Sequence, residues 1–302
     1  MSLMGLENAR VAIIGLGLMG GSLAGALRER NACREVVGVA RREETIREAL
    51  RRGFIDWGTC DLAQGVGHAN LIVLATPVRT ILNLIPQVGS LAPPGCLLMD
   101  LGSTKARIVK AMEALPPRIQ AIGGHPMCGK EISGIEAAEA DLYERSTFVL
   151  TPLRQSSGQA LQRTSAQALA LAQALVEAVG ARPLVMDAER HDRLVAAISH
   201  LPYLLSIGLV ATAQEIAIED ELVWELAASG FRDTTRLAAS DVTMMLDILL
   251  TNRQPVGEML SRLARQLDAI AHLLEADDEQ ALKLKLQKSS RFKGQSSNED
   301  GG

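Results

Sequence analysis

Residues 11 to 27 read VAIIGLGLMGGSLAGAL, and this stretch decides the fold. Val11-Ala12-Ile13-Ile14 is a brief apolar run of strand formers, and Gly15-Leu16-Gly17-Leu18-Met19-Gly20 follows it and opens a helical pattern. In such a turn the first glycine permits the tight bend and the second lets backbone N–H groups approach a pyrophosphate. The third lets the helix pack closely on the strand. The helix N-terminus then adds partial positive charge toward the anion. The stretch is uncharged, follows Arg10 and ends in Ala24-Gly25-Ala26, so it superficially resembles a secretory signal. Its five glycines (Gly15, Gly17, Gly20, Gly21, Gly25) do not suit a spanning helix, which needs about 20 mostly apolar residues. They do suit strand, turn and helix.

Outward from this unit the same alternation continues. Residues 36–39, 71–74, 96–99 and 119–122 are further short apolar runs, with helical windows between them at 43–52 and 104–115. Continuous apolar strands belong to a sheet covered on both faces, so the first half reads as a doubly wound, Rossmann-type parallel α/β domain over residues 1–152. After Phe148-Val149-Leu150-Thr151-Pro152 the chain becomes rich in Ala and Leu, with one further strand signal at 183–186. Residues 153–287 therefore read as an all-helical dimerisation domain, too apolar for a free surface and expected to pair with a second copy. The polar, Gly/Ser-rich segment 288–302 is expected to be disordered.

Composition agrees. The 302 residues are enough for two domains; 47% are apolar, 22% charged and only 3% aromatic, which favours α/β and helical packing. A net charge of −4 argues against a nucleic-acid binder. Cys33, Cys60, Cys96 and Cys128 have no CxxC spacing and read as reduced thiols of a cytoplasmic protein, with no metal site and no membrane span.

The cofactor can be read further. About 20 residues beyond the last glycine, a strand that binds NAD normally ends in Asp or Glu, to hold the ribose 2′-hydroxyl. Here Ala40-Arg41-Arg42 occupies that place. Two guanidinium groups attract a 2′-phosphate in forked geometry, so NADP is expected, with NAD as the alternative and a solvated basic turn as the plain reading. Two later segments also follow strand ends, where such sheets bind ligands. Gly123-Gly124-His125-Pro126 presents an imidazole able to accept a proton at neutral pH, or a loop histidine bonded to backbone. Ser103 in Asp100-Leu101-Gly102-Ser103-Thr104-Lys105 either bonds a substrate hydroxyl or caps the next helix.

Six segments together resemble the prephenate/arogenate dehydrogenase family of tyrosine biosynthesis: GLGLMGGSLA at 15–24, LATPV at 74–78, DLGSTK at 100–105, GGHPMCGKE at 123–131, HDRLVAAISHLP at 191–202 and GFRDTTRLA at 230–238. The resemblance implies oxidative decarboxylation of a cyclohexadienol. His125 matches the catalytic histidine that takes the ring 4-hydroxyl proton, and Ser103 the residue that holds the same hydroxyl. Arg236 matches the substrate-carboxylate arginine, with Glu131 and Asp192 at the acidic positions of its ion network and His191 facing the cleft. Gly15, Gly17, Leu18, Met19, Gly20, Arg41, Arg42, Thr76 and Pro77 form the implied cofactor set. A helix capped near Asp233 would place Arg236 in its first turn, against the macrodipole, as expected of a cation kept for an anionic ligand. His191 and His200, nine residues apart, fall on opposite faces of a regular helix and are not expected to act together. Tyr203 stands where some prephenate-using relatives carry a histidine, which with the arginine pair tilts the expectation toward the NADP-linked arogenate type. Prephenate dehydrogenase is the alternative. Hydroxyacid dehydrogenases that rely on a helical-domain lysine fit less well, since no lysine lies between Lys130 and Lys283. A non-catalytic NADP-binding module is the alternative outside enzymes.

Overall fold

The structure, a computed structural model, describes residues 4–130, 132–153 and 164–296, with side chains described through Arg291. The first compact unit runs to Arg253 and the second from Gln254. In chain order the first contains β1 (Arg10–Ile14), α1 (Leu18–Glu29), β2 (Glu35–Val39), α2 (Glu43–Arg51), β3 (Trp57–Thr59), α3 (Leu62–Val66), β4 (Leu71–Leu74), α4 (Val78–Leu91), β5 (Leu97–Asp100), α5 (Ala106–Met112), β6 (Gln120–Pro126) and β7 (Thr147–Pro152). There follow α6 (Ala166–Ala178), β8 (Arg182–Val185), α7 (Ala188–Val195), a π-helical turn (Ala196–His200), α8 (Leu201–Glu219), α9 (Ser229–Thr235) and α10 (Val242–Thr251). The helix α11 (Arg253–Glu275) leads into the second unit, which ends in α12 (Glu279–Ser296).

Among the described residues the strands form one sheet in the order β3-β2-β1-β4-β5-β6-β7-β8. Alternate residues of β1 explain its unbroken apolarity: Val11 and Ile13 join Leu23, Leu27, Leu171 and Leu175 on one face, while Ala12 and Ile14 join Ile81, Ile85, Ile108 and Met112 on the other. Both faces are covered, as the doubly wound reading requires. The order reverses at β1, between β2 and β4, and the loops leaving β1 and β4 flank the crevice that this reversal opens.

Four features differ from the sequence reading. Three-residue β3 is half-buried at the sheet edge and has no apolar run to announce it. The sheet is not wholly parallel: β7 runs antiparallel to β6, and β8 is parallel to β7. Because β8 completes the sheet, the sheet layer continues past the break expected at residue 152 and ends at Val185. Finally, α12 carries helix well beyond the disorder expected from Lys288, because Glu, Gln, Ala, Leu and Lys are strong helix formers and Asp278 caps the Ala281 N–H at 3.0 Å. Residues 297–302 of that tail lie outside the described residues.

The run Ala188–Glu219 is long and apolar enough to cross a membrane by length and composition alone. Its first part, however, buries His191, Asp192 and His200 among polar partners of the same unit.

Candidate active site

The glycine turn has the shape its sequence implies. Gly15 has φ +100°, and a Cβ there would lie 2.7 Å from the Ala75 carbonyl oxygen. At Gly20 a Cβ would lie 1.9 Å from the Gly15 carbonyl oxygen, so only glycine lets α1 approach β1 this closely. Gly17, the N-cap of α1, has nothing within 4 Å of its Cβ position. The helix N-terminus therefore opens onto free space, in which backbone N–H groups and dipole favour an anion. Beside it the buried Thr76 hydroxyl has no hydrogen-bond partner, a polar group waiting for a ligand. These residues fit a dinucleotide pyrophosphate. Leu18 is buried, Met19 is half-buried with its carbonyl bonded by the Tyr143 hydroxyl at 2.7 Å, and Pro77 precedes α4. Arg41 and Arg42 are exposed beyond the end of β2, and Arg42 is the N-cap of α2.

On the same carboxyl edge of the sheet, three strands along from β1, β6 carries His125 near its end. Its Nδ1 lies 2.8 Å from Nε2 of His191, the rings meeting edge to face, and Nδ1 of His191 lies 2.8 Å from the Asp192 carboxylate. The protonation pattern follows from the end of the chain. A carboxylate only accepts, so His191 donates from Nδ1 and offers Nε2 as the acceptor of the next bond in the chain. His125 must then donate from Nδ1, which leaves its Nε2 as the free acceptor. Burial, followed by the charges of His191, Lys105 and His200, holds the His125 pKa well below its usual 6.5. The ring is neutral at pH 7 and ready to take a proton.

The carboxylate at the end of this chain has a second task. Asp192 also accepts the backbone N–H groups of Lys105 and Ala106, at 2.7 and 2.9 Å, and so caps α5 from across the fold. It thereby takes over the capping alternative open to Ser103: the half-buried Ser103 stays in the loop and Lys105 is the N-cap residue. Lys105 is completely buried, pairs with Asp100 and bonds the Gly124 carbonyl at 2.6 Å, one residue before His125. Asp100 in turn accepts N–H groups from Gly102 and Gly124. Burial pushes the Asp100 carboxyl up and the Lys105 ammonium down, opposed in each case by attraction to the other.

His200 is less remote than a regular helix predicts. The π-helical turn resets the face, and Asn252 donates both to Nδ1 of His200, at 3.2 Å, and to the Asp192 carbonyl, at 2.8 Å. Burial lowers the His200 pKa to about 4.

Tyr203, Arg236 and Glu131 were also named from the sequence. Tyr203 is buried in a small cluster with Met245 and Ile248. Arg236 is exposed, and the expected cap near Asp233 does not exist: Asp233 lies inside α9, and Arg236 both ends α9 and begins a 3-10 turn, Arg236–Ala239. A helix end favours a cation and a helix start disfavours one, so the dipole argument for Arg236 lapses and the resemblance is its support. Glu131 lies outside the described residues.

Comparison with known proteins shows the family. The nucleotide-binding domain model of prephenate dehydrogenase matches residues 23–185, and the dimerization domain model of the same enzyme matches residues 187–288. The chain belongs to the prephenate dehydrogenase family. A Lactococcus lactis prephenate dehydrogenase is 35% identical over 276 residues, covering 90% of this chain and 73% of the relative. The crystal structure of prephenate dehydrogenase from A. aeolicus, in complex with hydroxyphenyl propionate and NAD+, has a TM-score of 0.87 at 29% identity and covers 97% of this chain and 99% of that one. Synechocystis arogenate dehydrogenase has a TM-score of 0.81 at 29% identity, covering 95% and 99%. The two domains of the prephenate dehydrogenase family meet here between the end of β8 and Asp187, which caps α7 by accepting the Arg190 N–H. The chain is an oxidoreductase with a nucleotide-binding domain of the Rossmann type. Lys105 and Asp100 lay within a motif already noted in the sequence, whereas Asn252 had no motif to mark it.

Proposed function

We propose that this protein oxidatively decarboxylates prephenate with NADP as hydride acceptor. The observation that carries the reading is the hydrogen-bond chain Asp192–His191–His125, which leaves a neutral imidazole Nε2 as proton acceptor at a carboxyl strand end of a nucleotide-binding sheet. A nicotinamide, when bound, supplies the acceptor for the hydride that leaves C4 of the substrate ring. His125 takes the proton of the 4-hydroxyl, while the Ser103 hydroxyl holds the same oxygen. The ring carboxylate leaves as CO2, the electron pair of its broken C–C bond completes the aromatic ring, and the C4 oxygen takes its proton back from His125, so the step runs in one direction. Arg236 binds a substrate carboxylate, and His191 acts behind His125. What the residues supply is geometry and a base held neutral at the working pH.

Support for prephenate comes from the L. lactis relative of that name. Arogenate is the second reading, favoured by Tyr203 in place of a histidine and by the fold match to the Synechocystis enzyme. NADP is supported by Arg41 and Arg42 where a ribose-binding carboxylate would stand. A homodimer is supported by the dimerization domain match and by exposed Ile207, Ile216 and Ile218 on α8. The four free thiols suit a reducing cytoplasm.

Initial rates with prephenate and arogenate, each with NAD+ and NADP+, test this reading. Prephenate with NADP+ is expected to give the highest kcat/KM. A higher value with arogenate selects the second reading, and a clear preference for NAD+ overturns the role of the arginine pair. Tight NADPH binding without turnover of either substrate would leave only a binding module.

A further inference from the structure

Both helices that leave the site-facing edge of the sheet at β4 and β5 lack an N-cap side chain of their own. α4 follows Pro77, which has no acceptor, and α5 follows Lys105. Each borrows a carboxylate from far along the chain. Asp192 caps α5, as described above, and Asp247 of α10 accepts the Arg79 N–H in the first turn of α4 at 3.2 Å while its other oxygen pairs with the Arg79 guanidinium. Asp247 is only 4% exposed. A carboxylate buried this far is costly unless its oxygens are occupied, and here both are.

One turn along the same face of α10, Thr251 gives its hydroxyl proton to the Asp247 carbonyl at 2.7 Å. Its 2.8 Å contact with the Thr104 hydroxyl therefore has Thr104 as donor. Thr104 is 1% exposed and directly follows Ser103. The next residue, Asn252, holds His200 and the Asp192 backbone. One short helix thus reaches the first turn of α4, which directly follows the Thr76–Pro77 loop, the loop that carries Ser103, and the segment behind His125.

We propose that α10 is the positioning element of this site, with Asp247 setting the Thr76–Pro77 loop for the nucleotide and Thr251 setting the Ser103 loop for the substrate hydroxyl. The proposal deepens the reading above and rests on it for the two ligands. It requires the two contacts to act on different steps: cutting the Asp247 cap weakens nucleotide binding, and cutting the Thr251 contact slows turnover.

Calorimetric titration of the full chain with NADP+, beside steady-state rates with prephenate, separates them. Asp247→Ala is expected to weaken NADP+ binding about tenfold, the effect of a lost N-cap. Asp247→Asn keeps an oxygen for the Arg79 N–H and is expected to recover most of that affinity. Thr251→Val is expected to leave NADP+ binding within about twofold and to lower kcat about fivefold, the loss of one neutral hydrogen bond. If Asp247→Ala fails to fold, Asp247→Ser, polar but too short to reach the Arg79 N–H, carries the same expectation. Wild-type NADP+ affinity in a folded Asp247→Ala or Asp247→Ser chain overturns the proposal. So does a parallel loss of affinity and kcat in both the Asp247 and Thr251 variants, which general loosening would give. The titration needs no turnover, so a wild type inert toward both cyclohexadienols defeats the assigned reaction while the Asp247 titrations still decide the nucleotide half of the proposal.

Discussion

At the end of β1 the molecule makes room by leaving side chains out, whereas at the end of β6 it fills the space with polar side chains that satisfy one another. Gly15, Gly17 and Gly20 define the first region by the absence of Cβ atoms, and its donors are backbone N–H groups whose direction the helix fixes. In the second region His125, His191, Asp192 and Asn252 come from β6, α7 and the end of α10, and each is oriented by the next. A backbone cradle binds the same anion whatever side chains surround it. A side-chain chain does chemistry, because one proton fixed at Asp192 sets where the lone pair of His125 points. The two regions should therefore fail differently.

The largest expected effect is at the side-chain end. His125→Asn should lower turnover by about 10²-fold or more, the scale of a lost general base, while nucleotide binding persists. Loss of both together would erase the contrast between the regions. The cradle offers a sharper pair. A Cβ at Gly20 meets backbone at 1.9 Å and cannot be relieved by a rotamer, so Gly20→Ala should destabilise the fold itself. A Cβ at Gly17 meets nothing, so Gly17→Ala should melt like the wild type yet bind nucleotide roughly tenfold or more weakly, about the worth of one hydrogen bond to a charged group. Equal melting temperatures for the two alanine variants would count against this assignment of the glycines. A smaller change is expected from Arg236→Gln, which should mainly raise the KM for the cyclohexadienol. An unaltered KM would remove the arginine from substrate binding.

The same contrast explains what could be read from sequence. Strands β1, β2, β4 and β5 were legible because each is a continuous apolar run covered on both faces, and the cradle because three glycines at fixed spacing spell out a conformation. His125 was legible from its place at a strand end. The antiparallel turn of β7 was not, since an apolar strand reads alike in both directions. Asp247, Thr251 and Asn252 carried no signal, because each acts through a partner 147 or more residues away or, for Asn252, through 60 and 52 residues of chain. Arg236 shows how a local argument fails when an element boundary moves: with Asp233 inside α9, the same cation stands at the end of one helix and the start of a 3-10 turn, and the dipole argument loses its sign. The spacing argument for His191 and His200 rested on a regular helix, and a π-helical turn interrupts the 3.6-residue period between them.

The smallest effect at neutral pH is also the most direct measure of how the side-chain region is held together. His200 is 1% exposed, and burial lowers its pKa from 6.5 to about 4. Its Nδ1 accepts from Asn252, which suits only the neutral ring. Between these two values the unfolded chain binds a proton that the folded chain refuses, so stability falls as the pH drops. Above about pH 6.5 both states are neutral there and the effect vanishes. At pH 4 it is on the order of 3 kcal/mol, from the shift between 6.5 and about 4. Urea midpoints measured from pH 7.5 down to 4 on the wild type and on His200→Gln should therefore diverge with acid, the variant having the flatter profile. The cradle, built from backbone groups that do not titrate, predicts no such divergence for Gly17→Ala. Parallel profiles for His200→Gln and the wild type would mean that the folded chain lets His200 take up its proton at no cost, and the bond from Asn252 would then not hold the ring neutral.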